Sequence, residues 1–290
     1  MFCIAFAMRD TIYYAHKTIN MEGKIIDLSQ PIVMGIINVT PDSFYEGSRY
    51  ISATQVVSQA LRMYEDGATI IDIGGYSTRP HAEEVPEKEE IRRVTTTIKH
   101  LKKELPTALI SIDTFRAAVA EAAILEGAGM VNDISGGQLD DKMLATVAKY
   151  QVPYVLMHSR GTPQTMTQLT DYDNLLLDIL TYFHQKLALI RQHGIRDVVI
   201  DVGFGFAKTM AQNFELMKNL SYFQILNLPM MAGISRKSMI WKTLESTPAE
   251  ALNGTTALNT WALLQGASIL RVHDVRPAVE VIKLLAHSKK

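Results

Sequence analysis

The sequence has little from which to build a thiol or metal centre. Cys3 is its one cysteine, so an intrachain disulfide framework and a cysteine-based metal site are excluded. That usage fits a reducing cytoplasm. No HExxH, GxSxG or paired Cys/His spacing occurs, which leaves covalent catalysis by a Ser or Cys nucleophile unsupported. Net charge is almost absent too: 29 Lys+Arg against 30 Asp+Glu gives −1. No global field then draws the chain to nucleic acid or an anionic membrane, and any anion site has to be local. No apolar run approaches the roughly 20 residues of a membrane span. The opening MFCIAFAM is apolar but short, lacks a basic segment in front and meets Arg9 and Asp10 at once, so it does not have the plan of a signal peptide. There is no linker, low-complexity segment or charge block, and no internal sequence repeat.

What is present is ordinary globular composition, 47% hydrophobic and 20% charged over 290 residues, enough for a large core. A chain this long can form two domains, but α/β barrels use roughly 250 residues as one. Residues 1–30 read as a loosely tied N-terminal extension, with Met21 an alternative start because regular patterning begins soon after it. The first apolar run, within PIVMGIINVTPDSF (31–44), reads as a strand buried on both faces that ends in a polar loop. The pattern then recurs. Strands are expected at 68–73, 109–112, 129–131, 153–157, 198–200, 229–232 and 268–272. Helices are expected at 53–65, 86–105, 115–126, 140–150, 172–193, 211–220, 248–265 and 277–287. Strands that alternate with helices imply a parallel sheet with right-handed crossovers. Eight such units imply one α/β domain over 31–290, a closed (β/α)8 TIM barrel. An open doubly wound sheet is the architectural alternative.

In such a barrel the carboxyl ends of the strands meet at one face, where active sites lie. Those ends carry Asn38, Asp72, Asp113, Asn132, His158, Asp201, Lys237, Arg271 and His273. A single Asp or Asn there is as readily a loop cap. Polar residues at every end, several too long or too basic to cap anything, point to a site. Asp113, Asn132, Asp201 and Lys237 together donate and accept in a plane, which suits a flat polar heterocycle with N–H donors and carbonyl or ring-nitrogen acceptors. Asn38, Arg79, Arg271 and His273 suit a phosphate or another anion. Asn38 is alternatively an oxygen ligand for Mg²⁺. GFGFAK (203–208) lacks the spacing of a phosphate loop. Its glycines read as allowing close backbone approach, and its phenylalanines as core or pocket wall.

NVTPDSF (38–44), STRP (77–80), IDT (112–114), NDISGG (132–137), GFGF (203–206), SRKS (235–238) and RVHDV (271–275) together resemble the dihydropteroate synthase family, pterin-binding TIM barrels of folate synthesis. The resemblance runs from about Gly23 to the last helix. It implies condensation of 6-hydroxymethyl-7,8-dihydropterin pyrophosphate with p-aminobenzoate, giving 7,8-dihydropteroate and pyrophosphate. It also implies Mg²⁺ and a homodimer. By motif, Asp113, Asn132, Asp201 and Lys237 would hold the pterin edge. Asn38, Arg271 and His273 would hold the pyrophosphate and its Mg²⁺, with Asn38 as metal ligand and Arg271 also across the pterin face. Val39–Tyr50 and Ser77–Glu84 look like two mobile loops that close over the site. In them Asp42, Phe44, Thr78, Arg79 and Pro80 would complete the p-aminobenzoate pocket, with Ser238 at its carboxylate. Asp72 matches a strand-two carboxylate and is read equally as structural. Val202, Ala207, Tyr76 and Ser159 depart from the usual Pro, Gly, Glu and Met. The alternatives are a methyltetrahydrofolate-binding methyltransferase domain, which shares the pterin site, and a non-catalytic pterin-binding barrel.

Overall fold

A computed structural model of the chain describes residues 18–39, 49–76 and 84–288. Ten strands are formed by these residues: β1 (Thr18–Met21), β2 (Lys24–Asp27), β3 (Ile32–Asn38), β4 (Ile70–Gly74), β5 (Leu109–Asp113), β6 (Met130–Asp133), β7 (Tyr154–Met157), β8 (Val198–Asp201), β9 (Met230–Ala232) and β10 (Ile269–Val272). The last eight are parallel and close on themselves in the order β10-β3-β4-β5-β6-β7-β8-β9. Helices α1 (Arg49–Glu65), α2 (Glu87–Glu104), α3 (Ala117–Leu125), α4 (Met143–Tyr150), α5 (Leu175–Gln192) and α6 (Met210–Lys218) follow β3 to β8. The short α7 (Ser238–Trp241) and then α8 (Leu252–Leu264) follow β9, and α9 (Val275–Ser288) follows β10. The fold is thus the expected (β/α)8 TIM barrel.

Side-chain alternation sorts each strand into two layers. Outward residues such as Ile71, Ile73, Ile110, Ile112, Val131 and Leu270 pack under the helices in the larger core. Inward residues fill the barrel itself. Its lower layer is Met34, Ile70, Leu109, Met130, Val155, Val199, Met231 and Ile269. One step further along the same inward rows the residues become polar: Asp72, Ser111, Asn132, Asp201 and Arg271. The apolar layer thus forms a dry support beneath a polar mouth.

The amino-terminal stretch departs from expectation where it is described. β1 and β2 form an antiparallel hairpin, turned at Glu22 and Gly23, both at positive φ (54° and 78°), as a tight primed hairpin turn requires. Ile19, Met21 and Leu28 are buried in the same cluster as the lower barrel layer. Lys102 on α2 pairs with Glu22 at 2.7 Å, and the Asn20 amide donates to Asp197 at 3.3 Å. Residues 18–28 are therefore not loosely tied: they plug the bottom of the barrel, because its inward apolar layer needs a cover at that end.

Candidate active site

All but one of the strand ends singled out in the sequence deliver their polar residue to the same rim, His158 being the exception. Asn38 closes β3, is exposed, and sits beside Gly74 at the end of β4. A methyl built on Gly74 would lie 3.4 Å from Asn38 Oδ1 and 3.8 Å from Asp113 Oδ2, so these two oxygens flank one point. Arg271 reaches over from β10, past β3, to both neighbouring carboxylates. Its Nε donates to Asp72 Oδ2 at 2.6 Å and its Nη2 to Asp113 Oδ2 at 2.5 Å. Asp72 Oδ2 also accepts from Asn132 Nδ2 at 3.0 Å. Asp72 is completely buried, and a buried carboxylate needs such partners.

Burial pushes the Asp113 carboxyl up to about 7, although Arg271 pulls it back and Asp72 adds to the rise. Burial disfavours the Arg271 cation, but Asp72 and Asp113 outweigh it and hold its pKa above the ordinary value. The mouth is thus a compact cation between two carboxylates, each dependent on it for charge balance.

On the far side of the rim stand Asp201 and Lys237. A methyl on Gly233 would lie 3.5 Å from Asp201 Oδ2 and 3.9 Å from Lys237 Nζ, so Gly233 leaves open the space that these groups share. Asp201 Oδ1 accepts from the Gly203 amide at 2.8 Å. Lys237 Nζ donates to the Phe204 carbonyl and lies 4.7 Å from the centre of the Phe206 ring. Burial raises the Asp201 carboxyl, with Lys237 opposing. It lowers the Lys237 ammonium to about 8, with Asp201 opposing. Phe204 is core, and Phe206 is half-buried with the Lys237 ammonium over its ring.

The loop 203–207 is held from below by Lys208, whose Nζ reaches the Gly203 carbonyl (3.0 Å), the Phe206 carbonyl (2.9 Å) and His158 Nδ1 (3.0 Å). His158 therefore faces away from the group at the mouth, packed edge-on against Tyr182 at 4.8 Å. Burial, then Lys208 and Arg160, push its pKa well down, so it accepts as a neutral ring. Ala207 adopts φ 48°, the left-handed region that the usual Gly would enter without strain. Val202 is buried, and Tyr76 packs on Phe115 with Arg116 5.4 Å from its ring centre.

His273, just beyond β10, exchanges contacts with Ser235: Ser235 Oγ lies 3.0 Å from His273 Nδ1, and the His273 amide donates to Ser235 Oγ at 3.2 Å. Arg236 makes a two-point pair with Asp274, at 2.8 and 2.7 Å. The loop bearing Lys237 is thereby tied to the loop bearing His273. Ser238 begins α7 and is exposed. Sequence reasoning did not single out Ser235, Arg236, Asp274 or Lys208 for a role, although SRKS, RVHDV and GFGFAK contain them. Asp42, Phe44, Thr78, Arg79 and Pro80 lie outside the described residues.

Comparison with known proteins gives this geometry a family. The family model described as pterin binding enzyme matches residues 34–273. A Synechocystis dihydropteroate synthase is 45% identical over 255 residues, 87% of this chain and 88% of that protein. The Escherichia coli K12 dihydropteroate synthase is 40% identical over 266 residues, 91% of this chain and 94% of that one. Among solved structures, the Yersinia pestis dihydropteroate synthase in complex with a sulfonamide drug superposes with TM-score 0.88 at 39% identity, covering 94% of this chain and 99% of that chain. The Xanthomonas albilineans enzyme in complex with 7,8-dihydropteroate superposes with TM-score 0.84 at 34% identity, covering 94% and 98%. The chain belongs to the dihydropteroate synthase family of pterin-binding enzymes.

Proposed function

We propose that this barrel condenses 6-hydroxymethyl-7,8-dihydropterin pyrophosphate with p-aminobenzoate, releasing pyrophosphate and 7,8-dihydropteroate. The observation that carries the reading is the set of donors and acceptors on one barrel rim, with Asp113 paired to Asn132 across β5 and β6 and Asp201 and Lys237 together beside Gly233, above an apolar layer. Asp113 and Asp201 accept from the ring N–H groups. Asn132 and Lys237 complete the edge. Arg271 and His273 stabilise the charge that grows on the pyrophosphate as its bond to the pterin methylene breaks. The positive charge left on the methylene spreads into the ring, where the carboxylate of Asp113 or Asp201 favours it. The neutral amine of p-aminobenzoate then attacks the methylene and gives its proton to solvent. Asp42, Phe44, Thr78, Arg79 and Pro80 complete the p-aminobenzoate pocket and exclude competing water, and Ser238 meets its carboxylate. A sulfonamide is expected to compete at that pocket.

Mg²⁺ belongs to this reading as a companion of the substrate. Asn38 offers a single neutral oxygen at an exposed tip, and no group of three or more His, Cys, Asp or Glu fit for a metal occurs among the described residues. Such a set fits Mg²⁺, which is commonly held by one or two protein oxygens with phosphate and water. When bound, it supplies neutralisation of the pyrophosphate charge. The reading further includes the cytoplasm and a homodimer. The exposed Leu252, Trp261 and Leu264 on α8 and Leu284 on α9 support the dimer.

The test is release of pyrophosphate from the pterin pyrophosphate with Mg²⁺, with and without p-aminobenzoate. The expected result is p-aminobenzoate-dependent turnover, and folded protein without it would refute the assignment.

A further inference from the structure

The loop between β8 and α6 lies between two lysines. Lys208 is beneath it. Its three ammonium N–H groups meet three acceptors: the Gly203 carbonyl at 3.0 Å, the Phe206 carbonyl at 2.9 Å and His158 Nδ1 at 3.0 Å. Lys237 is above it. Its Nζ donates to the Phe204 carbonyl, and its stem lies against Gly205, where a methyl would stand 3.3 Å from Lys237 Cδ. The carbonyls of the loop thus divide between two cations, 203 and 206 to one and 204 to the other.

Lys208 is a costly choice for a simple tie. It is buried, and among the described residues no carboxylate pairs with it; two backbone carbonyls and an imidazole hold it. A buried ammonium without a counter-ion is less favourable than a neutral amide in its place. The loop already uses such an amide: Asn213 Oδ1 accepts from the Gly205 amide at 2.6 Å. What the ammonium adds is three donors on one atom. One group thereby fixes two carbonyls of the loop against His158, just past β7. The loop passes this order to the site through two contacts. Its Gly203 amide donates to Asp201 Oδ1 at 2.8 Å, and its Phe204 carbonyl receives Lys237.

We propose that Lys208, seated on His158, is a positioning residue for the pterin site: it sets the loop on which Asp201 and Lys237 both rest, and so governs how tightly the pterin edge is held. This rests on the pterin assignment made above. The charged groups around Lys208 are Asp201, Lys237 and Arg160. Burial lowers its ammonium to about 7, with Asp201 opposing and the two cations adding to the fall. The seat survives that loss. A neutral amine still donates to both carbonyls and accepts a hydrogen bond from a His158 Nδ1–H, because a neutral imidazole carries its proton on either nitrogen. The three contacts therefore hold on both sides of neutrality.

Calorimetry on folded variants tests the assignment, with two ligands: the dihydropterin alcohol, and pyrophosphate with Mg²⁺. Lys208→Met should weaken the alcohol at least tenfold and leave the pyrophosphate affinity within twofold, since Asn38, Arg271 and His273 stand on other strands. A merely structural lysine would lower the number of competent molecules at unchanged affinity, or weaken both ligands alike. Either pattern overturns the proposal. His158→Leu removes the third contact and should weaken the alcohol several-fold both below and above pH 7. His158→Asn keeps an acceptor and a donor there and should bind within twofold of the parent. If His158→Asn is as weak as His158→Leu, the pairing falls. These two variants decide the matter if Lys208→Met does not fold. In Lys208→Met/Lys237→Gln the loss should be smaller than the product of the single losses, because both lysines act on one loop. A full product overturns the proposal. The parent separates this inference from the pterin reading. Folded parent that does not bind the alcohol sinks both, whereas binding that Lys208→Met leaves unchanged sinks the positioning role alone.

Discussion

Replacing Arg271 by methionine should produce a loss of stability that depends on pH in a defined direction. In the parent, the Arg271 side chain is 18% exposed and pairs with a carboxylate that is 0% exposed and another that is 11% exposed. Removing one partner of a buried pair costs about 3–5 kcal/mol when the other charge is left behind. Asp113 can avoid part of this cost by taking a proton. Its folded pKa is already raised by burial to about 7, above the roughly 3.9 of an unfolded Asp. A raised carboxyl binds its proton more tightly in the folded state, so its burden on stability grows as pH rises through that window and is complete above the folded value. Arg271 opposes the rise, so its removal moves the folded value higher and extends the window upward. Parent and variant should therefore run parallel below about pH 7 and diverge above it, by up to about 1.4 kcal/mol per pH unit. A gap of about 2 kcal/mol at pH 6, the scale of a lost charged hydrogen bond, should widen to about 3–5 kcal/mol near pH 8.5. Urea unfolding of both proteins across pH 5.5–9 measures it, and Arg271→Met/Asp113→Asn should hold a constant gap to Asp113→Asn alone, in which the titrating group is gone. A gap that is flat in the single variant, or widest at low pH, would refute the charge assignment at the mouth.

Three other outcomes follow from the same geometry. Asn38→Ala should raise the Mg²⁺ concentration for half-maximal turnover about tenfold, the equivalent of roughly 1.4 kcal/mol, while alcohol binding measured by calorimetry stays unchanged. Burial lowers the Lys237 ammonium to about 8, so its cation is lost as pH rises through that value. Affinity for the dihydropterin alcohol should accordingly fall above pH 8, and Lys237→Gln should bind more weakly with no such fall. Gly203 has φ 71°, and a methyl there would meet the His158 carbonyl oxygen at 2.0 Å. Gly203→Ala should cost about 2–3 kcal/mol, as overpacking does, seen as a lower melting temperature, and should weaken pterin binding because the Gly203 amide donates to Asp201.

The eight barrel strands were legible because each is an apolar run of three to seven residues punctuated by Gly or polar turns and followed by a helical period. The hairpin was not, because two four-residue strands carry too few alternations to stand out. Glu22-Gly23 between them was the available signal. The helix expected from Pro248 begins at Leu252 instead, since the Glu250 carboxylate folds back onto the Thr247 amide and hydroxyl and closes a turn there. Helix α7 spans Ser238–Trp241, too short to show any period. Residue types at the strand ends identified the rim, but His158 shows the limit of that inference: a polar residue at a strand end turned away to accept from Lys208.

Asp72 and Arg271 show what the pattern did contain. In IIDIG and in ILRV a charged residue stands within an apolar run, not at the loop beyond it. A cap belongs at an end. A charge inside a strand whose flanking residues are outward core must point into the barrel, because successive side chains alternate. There it cannot remain unpaired. An inward aspartate and an inward arginine in one closed barrel therefore call for each other, even at a sequence separation of 199. What the pattern could not supply was the third member. Asp113 ends its strand like an ordinary cap, and only the closure that sets β10 beside β3 and β3 beside β4 brings the arginine within reach of both carboxylates. Barrel closure, more than any single motif, is what lets one guanidinium, read from the sequence as part of the anion group, stand between Asp113 of the heterocycle group and the buried Asp72.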